Sequence, residues 1–139
     1  MDARLVFWPA MAMALLTFVV WLRMFFTRVG EMRRLRIHPQ AVATSARAAE
    51  KYVDTRAADN FRNLFELPVL FYAALGFACV IGAVDGPLLA LAWLFVALRV
   101  VHSLIHCSYN RVMHRFMVYT AGGFVLWALW ARLAWRLWQ

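Results

Sequence analysis

The chain has 139 residues, of which 65% are apolar and 16% aromatic, and its mean hydropathy is +0.64. A soluble domain of this size cannot hide so much apolar surface, which excludes a water-soluble globular fold. The net charge is +8, but the arginines gather beside apolar runs, so the charge reads as membrane topology and not as nucleic-acid binding.

Four apolar stretches, Leu5 to Phe26, Phe61 to Ala83, Leu88 to Cys107 and Phe116 to Leu137, are each close to the ~20 residues that a helix needs to cross a bilayer. The expected fold class is therefore all-α and integral to the membrane. Residues 5–26, 61–83, 88–107 and 116–137 would form a four-transmembrane-helix bundle, as a single domain. The first run is longer than the ~7 to 15 apolar residues of a secretory signal and lacks a basic leader, so it reads as a retained span. Arg23 near its end is expected to snorkel to the interface. Trp8 suits the opposite interface.

Arg28, Arg33, Arg34, Arg36, Arg47, Lys51, Arg56 and Arg62 lie in or beside the first loop, and Arg111 and Arg115 at the third. The second loop, Gly82 to Pro87, carries only Asp85. The positive-inside rule then makes the first and third loops cytoplasmic and puts both termini on the far side. The basic strip also attracts anionic membrane lipids, at ~1 kcal/mol per charge. Within the first loop, Gln40 to Asp59 follows Pro39 with no Gly or Pro and a helix-favouring composition. The spacing predicts that the second span extends as a helix into the cytoplasm, with a kink allowed at Pro68.

The second span opens on Arg62, Asn63, Leu64, Phe65 and Glu66. Polar groups here are costly beside hydrocarbon and point to function. On one continuous helix, separations of three and four put Arg62, Asn63 and Glu66 on one side, facing neighbouring helices. The plainer alternative is an intrahelical Arg62–Glu66 ion pair. The third span ends in Arg99, His102, Ser103, His106, Tyr109 and Asn110, then Arg111, His114 and Arg115. Arg99 lies about two turns inside the span and needs a carboxylate or a ligand, with Glu66 the natural partner. Tyr119 and Thr120 bring hydroxyls to the same level. These groups would line a cytoplasm-facing pocket for a small polar anion, with an apolar partner arriving from the lipid.

His102 and His106, four apart, could instead bind a metal or haem. No other span carries a histidine in its apolar run, and His38 and His114 lie in loops, so no metal is expected. Cys79 and Cys107 fall near opposite membrane faces, too far apart for a disulfide, and read as packing residues. Trp127, Trp130, Trp135 and Trp138, with Arg132 and Arg136, read as an interfacial anchor.

The Arg62-Asn63-x-x-Glu66 motif and the Arg99-x-x-His102-x-x-x-His106 spacing, followed by Arg115, Tyr119 and Thr120, resemble the MAPEG family, the membrane-associated proteins in eicosanoid and glutathione metabolism. The resemblance covers nearly the whole chain, and Asp59-Asn60-Phe61 with Leu67-Pro68-Val69-Leu70-Phe71-Tyr72 looks like its bacterial branch. It implies a homotrimer in a bacterial inner membrane, with glutathione as co-substrate held between adjacent subunits near the cytoplasmic surface. By position, Arg62, Asn63, Glu66, His102, His106, Tyr119 and Thr120 would bind glutathione, and Arg99 would support Glu66 from behind. Arg115 would be the catalytic residue that stabilises the thiolate. The implied activity is that of a glutathione transferase or peroxidase acting on apolar electrophiles or lipid hydroperoxides. The alternative within the family is a non-catalytic lipid-binding scaffold.

Three departures shape that expectation. The eicosanoid enzymes of the family carry a tyrosine where His106 stands, and the prostaglandin synthase a serine where Phe116 stands, so prostaglandin isomerisation is not expected. Asp59 takes the place of an arginine found in some members and would repel a glutathione carboxylate, with Arg56 available to compensate. The family's first-span arginine corresponds to one of Arg28, Arg33, Arg34 and Arg36.

Overall fold

Local capping chemistry sets several of the helix starts in this computed structural model, which describes residues 2–139. Asp2 accepts from the Arg4 N–H at 2.9 Å and opens a 3-10 turn, Ala3–Val6, that runs directly into α1, Phe7–Arg34. Thr44 caps α2, Ser45–Lys51, by accepting from the Arg47 N–H. α3 covers Arg56–Asn63 and α4 Leu67–Val80. Asp85 caps α5, Gly86–Cys107, accepting from the Leu88 N–H at 2.9 Å, and α6 is Val112–Trp138. Side-chain caps of this kind satisfy N–H groups that a helix start leaves without a partner.

Four helical stretches are long and apolar enough to cross a membrane: Ala3–Arg34, Arg56–Val80, Gly86–Cys107 and Val112–Trp138. Their shared core puts Phe71 of α4 against Phe95 of α5, with ring centroids 4.6 Å apart, between Met13 of α1 and Leu126 and Leu129 of α6. All five are fully buried. Ala74, Ala78 and Ala92 are also fully buried, and small residues let helix backbones approach where lipid supplies no hydrophobic drive for helix association. Large apolar side chains such as Trp8, Phe18, Phe26, Phe116 and Phe124 point outward, the reverse of a water-soluble protein.

The first loop departs from its expected helix. Gln40 to Asp59 contains a 3-10 turn, Pro39–Val42, then α2, and breaks again before α3. A buried carboxylate explains the second break: Glu31 of α1 accepts from the Val53 N–H at 3.0 Å and from the Asp54 N–H at 3.1 Å. Those two charge-assisted bonds need N–H groups that a continuous helix would have consumed. Propensity therefore yields to a tertiary contact.

Two arginines near the ends of the spans hold specific partners. Arg23 is exposed and its Nη2 donates to the Cys107 carbonyl at 2.6 Å, so a cation sits at the C-terminus of α5 where the helix dipole favours one. At the other face, Arg132 is committed to Asp85 through Nε at 3.2 Å and Nη2 at 2.5 Å, with Arg136 Nε at 3.8 Å. Trp130 turns inward against Phe77, centroids 5.8 Å apart, while Trp127, Trp135 and Trp138 stay exposed. Both cysteines are free.

The Asp85 latch makes a pH-dependent contribution. The Arg132 hydrogen bond, more than any other cause, holds the Asp85 carboxyl below its ordinary value. A depressed folded value means stabilisation that is present above the unfolded value of ~3.9 and is lost as pH falls through the folded one. Asp85→Asn keeps a helix cap but removes the charge, so it lowers the Tm near pH ~7, and the gap to the parent protein is smaller at acid pH, narrowing as pH falls through the folded value. Thermal unfolding in detergent at neutral and acid pH checks this, and an equal gap at the two would contradict it.

Candidate functional site

Pro68 shapes the site. It has no N–H to reach back to the Leu64 carbonyl, and its ring would clash there, so it cannot sit inside a helix unpunished. The chain breaks fully between Asn63 and Leu67, and Pro68 falls in the first turn of α4, where no N–H is needed. The expected continuous helix with a kink is thus two helices. Arg62 and Asn63 end one, and Glu66 starts the next.

The break redistributes the polar contacts. Arg62 pairs with Asp59 at 3.5 Å and not with Glu66, so the predicted Arg62–Glu66 pair does not form and Asp59 is partly neutralised. Thr55 Oγ1 also donates to Asp59 at 2.9 Å. Arg56 is no substitute cation, being held by Asp54 at 2.8 Å and by the Ser108 carbonyl. Arg99, 1% exposed, does not reach Glu66 either. Its Nη2 donates to the Asn63 carbonyl at 2.9 Å, an acceptor at the broken helix end. Its Nε and Nη1 have no partner among the described residues, and its guanidinium carbon lies 5.6 Å from the centroid of the Tyr119 ring.

Around this break the predicted residues converge. The Asn63 side-chain amide donates to Glu66 Oε2 and Oε1 at 3.1 and 3.2 Å, the orientation that avoids facing oxygen against oxygen. Tyr119 Oη donates to Glu66 Oε2 at 3.3 Å. Arg115 Nη1 donates to His106 Nε2 at 3.0 Å and to Asn110 Oδ1 at 2.8 Å. His102 Nδ1 lies 3.3 Å from the Arg115 carbonyl and must donate to it. Its Nε2 is then a buried acceptor with no partner among the described residues.

A cavity of about 220 Å³ is lined by Asn63, His102, Arg115, Phe116, Tyr119 and Val112. Phe116 and Tyr119 also line a second, apolar slot of about 270 Å³ that includes Thr120, Gly123 and Trp127. Thr120 therefore lies in the apolar part, away from the polar cluster. Arg62 lies outside this cavity, in a separate hollow of about 170 Å³ that also takes in Arg28, Tyr52, Asp54 and Asp59. Arg28, stacked 5.9 Å from the Tyr52 centroid, is the one of the four first-span arginines beside that hollow.

Two contributors had no role assigned in the glutathione site that the resemblance implies. Asn110 adopts a left-handed conformation, φ 49°, which asparagine tolerates better than most residues, and this turns its amide to Arg115. An asparagine just after a helix end was the available signal. Asn60, fully buried, accepts from Ser103 Oγ at 3.4 Å and donates to Cys107 Sγ at 3.4 Å, locking α3 to α5 behind the histidines. No group of three or more His, Cys, Asp or Glu side chains among the described residues is placed to hold a metal ion.

The family model of MAPEG matches residues 6–135. The chain belongs to the MAPEG family. No curated protein and no solved structure matches the chain. Membership, with four apolar helices, makes this an integral membrane protein of a family that generally uses glutathione. A MAPEG chain fits membrane-bound glutathione transferase, peroxidase or related functions. The cavity that carries Asn63, His102 and Arg115 shares its Phe116 and Tyr119 wall with a more apolar slot.

Proposed function

We propose that this protein is a glutathione-dependent transferase or peroxidase of the inner membrane of a bacterium, activating the glutathione thiol for attack on apolar electrophiles or lipid hydroperoxides. The observation that carries the reading is Arg115 in the wall of the first cavity, next to the Phe116 that lines both, its guanidinium fixed from one side by His106 and Asn110. A thiol with a pKa of ~8.5 is mostly protonated at neutral pH, and a fixed neighbouring cation favours its anion.

Asn63, Glu66, Tyr119 and His102 supply polar groups for the tripeptide, and Glu66 provides the negative charge that its amino group requires. The unpartnered His102 Nε2 and Arg99 Nε and Nη1 are buried polar atoms whose cost a bound polar ligand would offset. Arg62 and Arg28, with their own hollow, fit the more peripheral carboxylates. In the transfer reaction the thiol proton goes to solvent at the cytoplasmic rim. The sulfur electron pair bonds to the electrophilic carbon, whose leaving group departs with its own pair. With a hydroperoxide the sulfur attacks the outer oxygen, the alcohol leaves protonated, and a second thiol completes the disulfide as water is released. The slot along α6 would hold the apolar portion in either case.

The assembly we propose is a homotrimer, with the two arginine-rich loops cytoplasmic and both termini on the other side. Thermal unfolding of detergent-purified protein over a glutathione series, beside an analogue with methyl in place of the thiol, tests the binding reading. Both ligands stabilise the protein, by ~2.7 kcal/mol at a hundred times Kd. No stabilisation by either at millimolar concentration overturns the glutathione assignment.

A further inference from the structure

We propose that His106 is a positioning residue: a neutral imidazole protonated only on Nδ1, which joins the Glu66–Asn63 pair to the Arg115 guanidinium through an unbroken chain of hydrogen bonds. Its consequence for chemistry rests on the glutathione reading above. The protonation pattern does not.

The pattern follows from donors and acceptors alone. Arg115 has only donors and keeps its charge. With Arg115 Nη1 at 3.0 Å, His106 Nε2 must present a lone pair, since a proton there would face another proton. A neutral imidazole then carries its hydrogen on Nδ1. The Asn63 amide lies 3.5 Å from that nitrogen, and its oxygen has to face the ring for the Nδ1–H to find an acceptor.

The other end of the same amide reaches this orientation independently. Glu66 offers only acceptors, so the Asn63 NH2 must point to it, at 3.1 and 3.2 Å. Two separate constraints, a cation on one side and a carboxylate on the other, fix one set of protons. The chain runs from Glu66 through the Asn63 NH2 and oxygen, the His106 Nδ1–H and Nε2, to Arg115 Nη1.

The surroundings agree with a neutral ring. His106 is 2% exposed, and the His102 ring is 5.5 Å away on the same helix. Asn63 faces it from α3 and Arg115 from α6. None of the ion pairs among the described residues involves either histidine. A doubly protonated imidazole would stand against the two cations Arg115 and Arg99, with only the more distant Asp59, already paired to Arg62, to balance it.

The arrangement ties the two ends of the site together. Imidazole nitrogens point in different directions, so one ring accepts from the arginine and donates to the asparagine. The guanidinium that would meet the sulfur is thus held in register with the carboxylate that would meet the amino group, and an error of position at a reacting atom is costly in rate.

His106→Phe keeps a flat ring but removes both hydrogen bonds. His106→Gln can restore them, with its carbonyl accepting from Arg115 and its NH2 donating to Asn63. The readouts are the ultraviolet absorbance of bound glutathione thiolate, glutathione affinity, and 15N NMR of the histidine nitrogens. For Phe the ratio of thiolate to thiol and kcat fall ~10- to 100-fold with affinity within ~3-fold, as loss of one charged hydrogen bond predicts. Gln recovers most of that loss, and the parent protein shows the Nδ1–H tautomer. An Nε2–H or doubly protonated His106, or Phe and Gln variants that behave alike, would overturn the proposal. If the Phe variant does not fold, the tautomer and the Gln variant still decide. Failure of the parent protein to bind glutathione is separate: it removes the substrate, and the NMR measurement still settles the proton chain.

Discussion

Replacing Arg115 with alanine lowers kcat by ~100- to 1,000-fold while glutathione affinity changes by less than ~5-fold, the signature of a group that matters where charge develops. The geometry explains the split. Arg115 meets the cavity from α6, whereas the groups suited to the peptide, Asn63 and Glu66, come from the broken second span. Arg115→Lys recovers only part of the rate. A lysine carries the charge, but its ammonium on a flexible stem lacks the rigid plane in which Nη1 alone donates to His106 and Asn110 and the other guanidinium nitrogens stay free for the sulfur. Pre-steady-state kinetics with an aromatic electrophile, read beside thermal-shift affinity, checks both variants. Unchanged turnover in Arg115→Ala would sink the thiolate role.

The sequence was most legible where a single force dominates. Hydrocarbon tolerates only helices with internally satisfied backbones, so four apolar runs sufficed to read an all-α membrane protein. The gathering of polar groups was legible for a related reason: such groups next to hydrocarbon stand out, and Asn63, Glu66, His102, His106, Arg115 and Tyr119 do come together. What failed were statements about who touches whom. Spacing arguments assumed a helix running through Pro68, and with the break Arg62 turned to Asp59 while Arg99 took the Asn63 carbonyl. The first loop misled because helix propensity is worth tenths of a kcal/mol per residue, less than two charge-assisted bonds to a buried Glu31. The partner of Arg23 was not legible because the α5 C-terminus that it caps is 84 residues away in sequence.

Glu66→Gln raises the glutathione Kd and KM by ~10-fold or more, about 1.4 kcal/mol for a lost charge-assisted contact, and lowers kcat at saturation by only ~2- to 3-fold, the part transmitted to Arg115. The substitution isolates charge from shape. A glutamine still accepts from Tyr119 Oη and from the Asn63 NH2, the two donors now on the carboxylate, so the broken span keeps its form and the Tm stays close to that of the parent protein. Isothermal titration with glutathione and with a variant tripeptide lacking the N-terminal amino group distinguishes the causes. Parent protein loses affinity for the des-amino ligand, and the Gln variant does not discriminate between the two. Equal discrimination by both would mean that Glu66 does not meet the amino group. Combining Glu66→Gln with Arg115→Ala carries the argument one step further. Sites that act separately give additive free energies, whereas residues in one hydrogen-bond network couple by ~0.5 to 3 kcal/mol. A chain through Asn63 and His106 requires the coupled result in thiolate yield, because the carboxylate then helps to hold the cation that the sulfur needs.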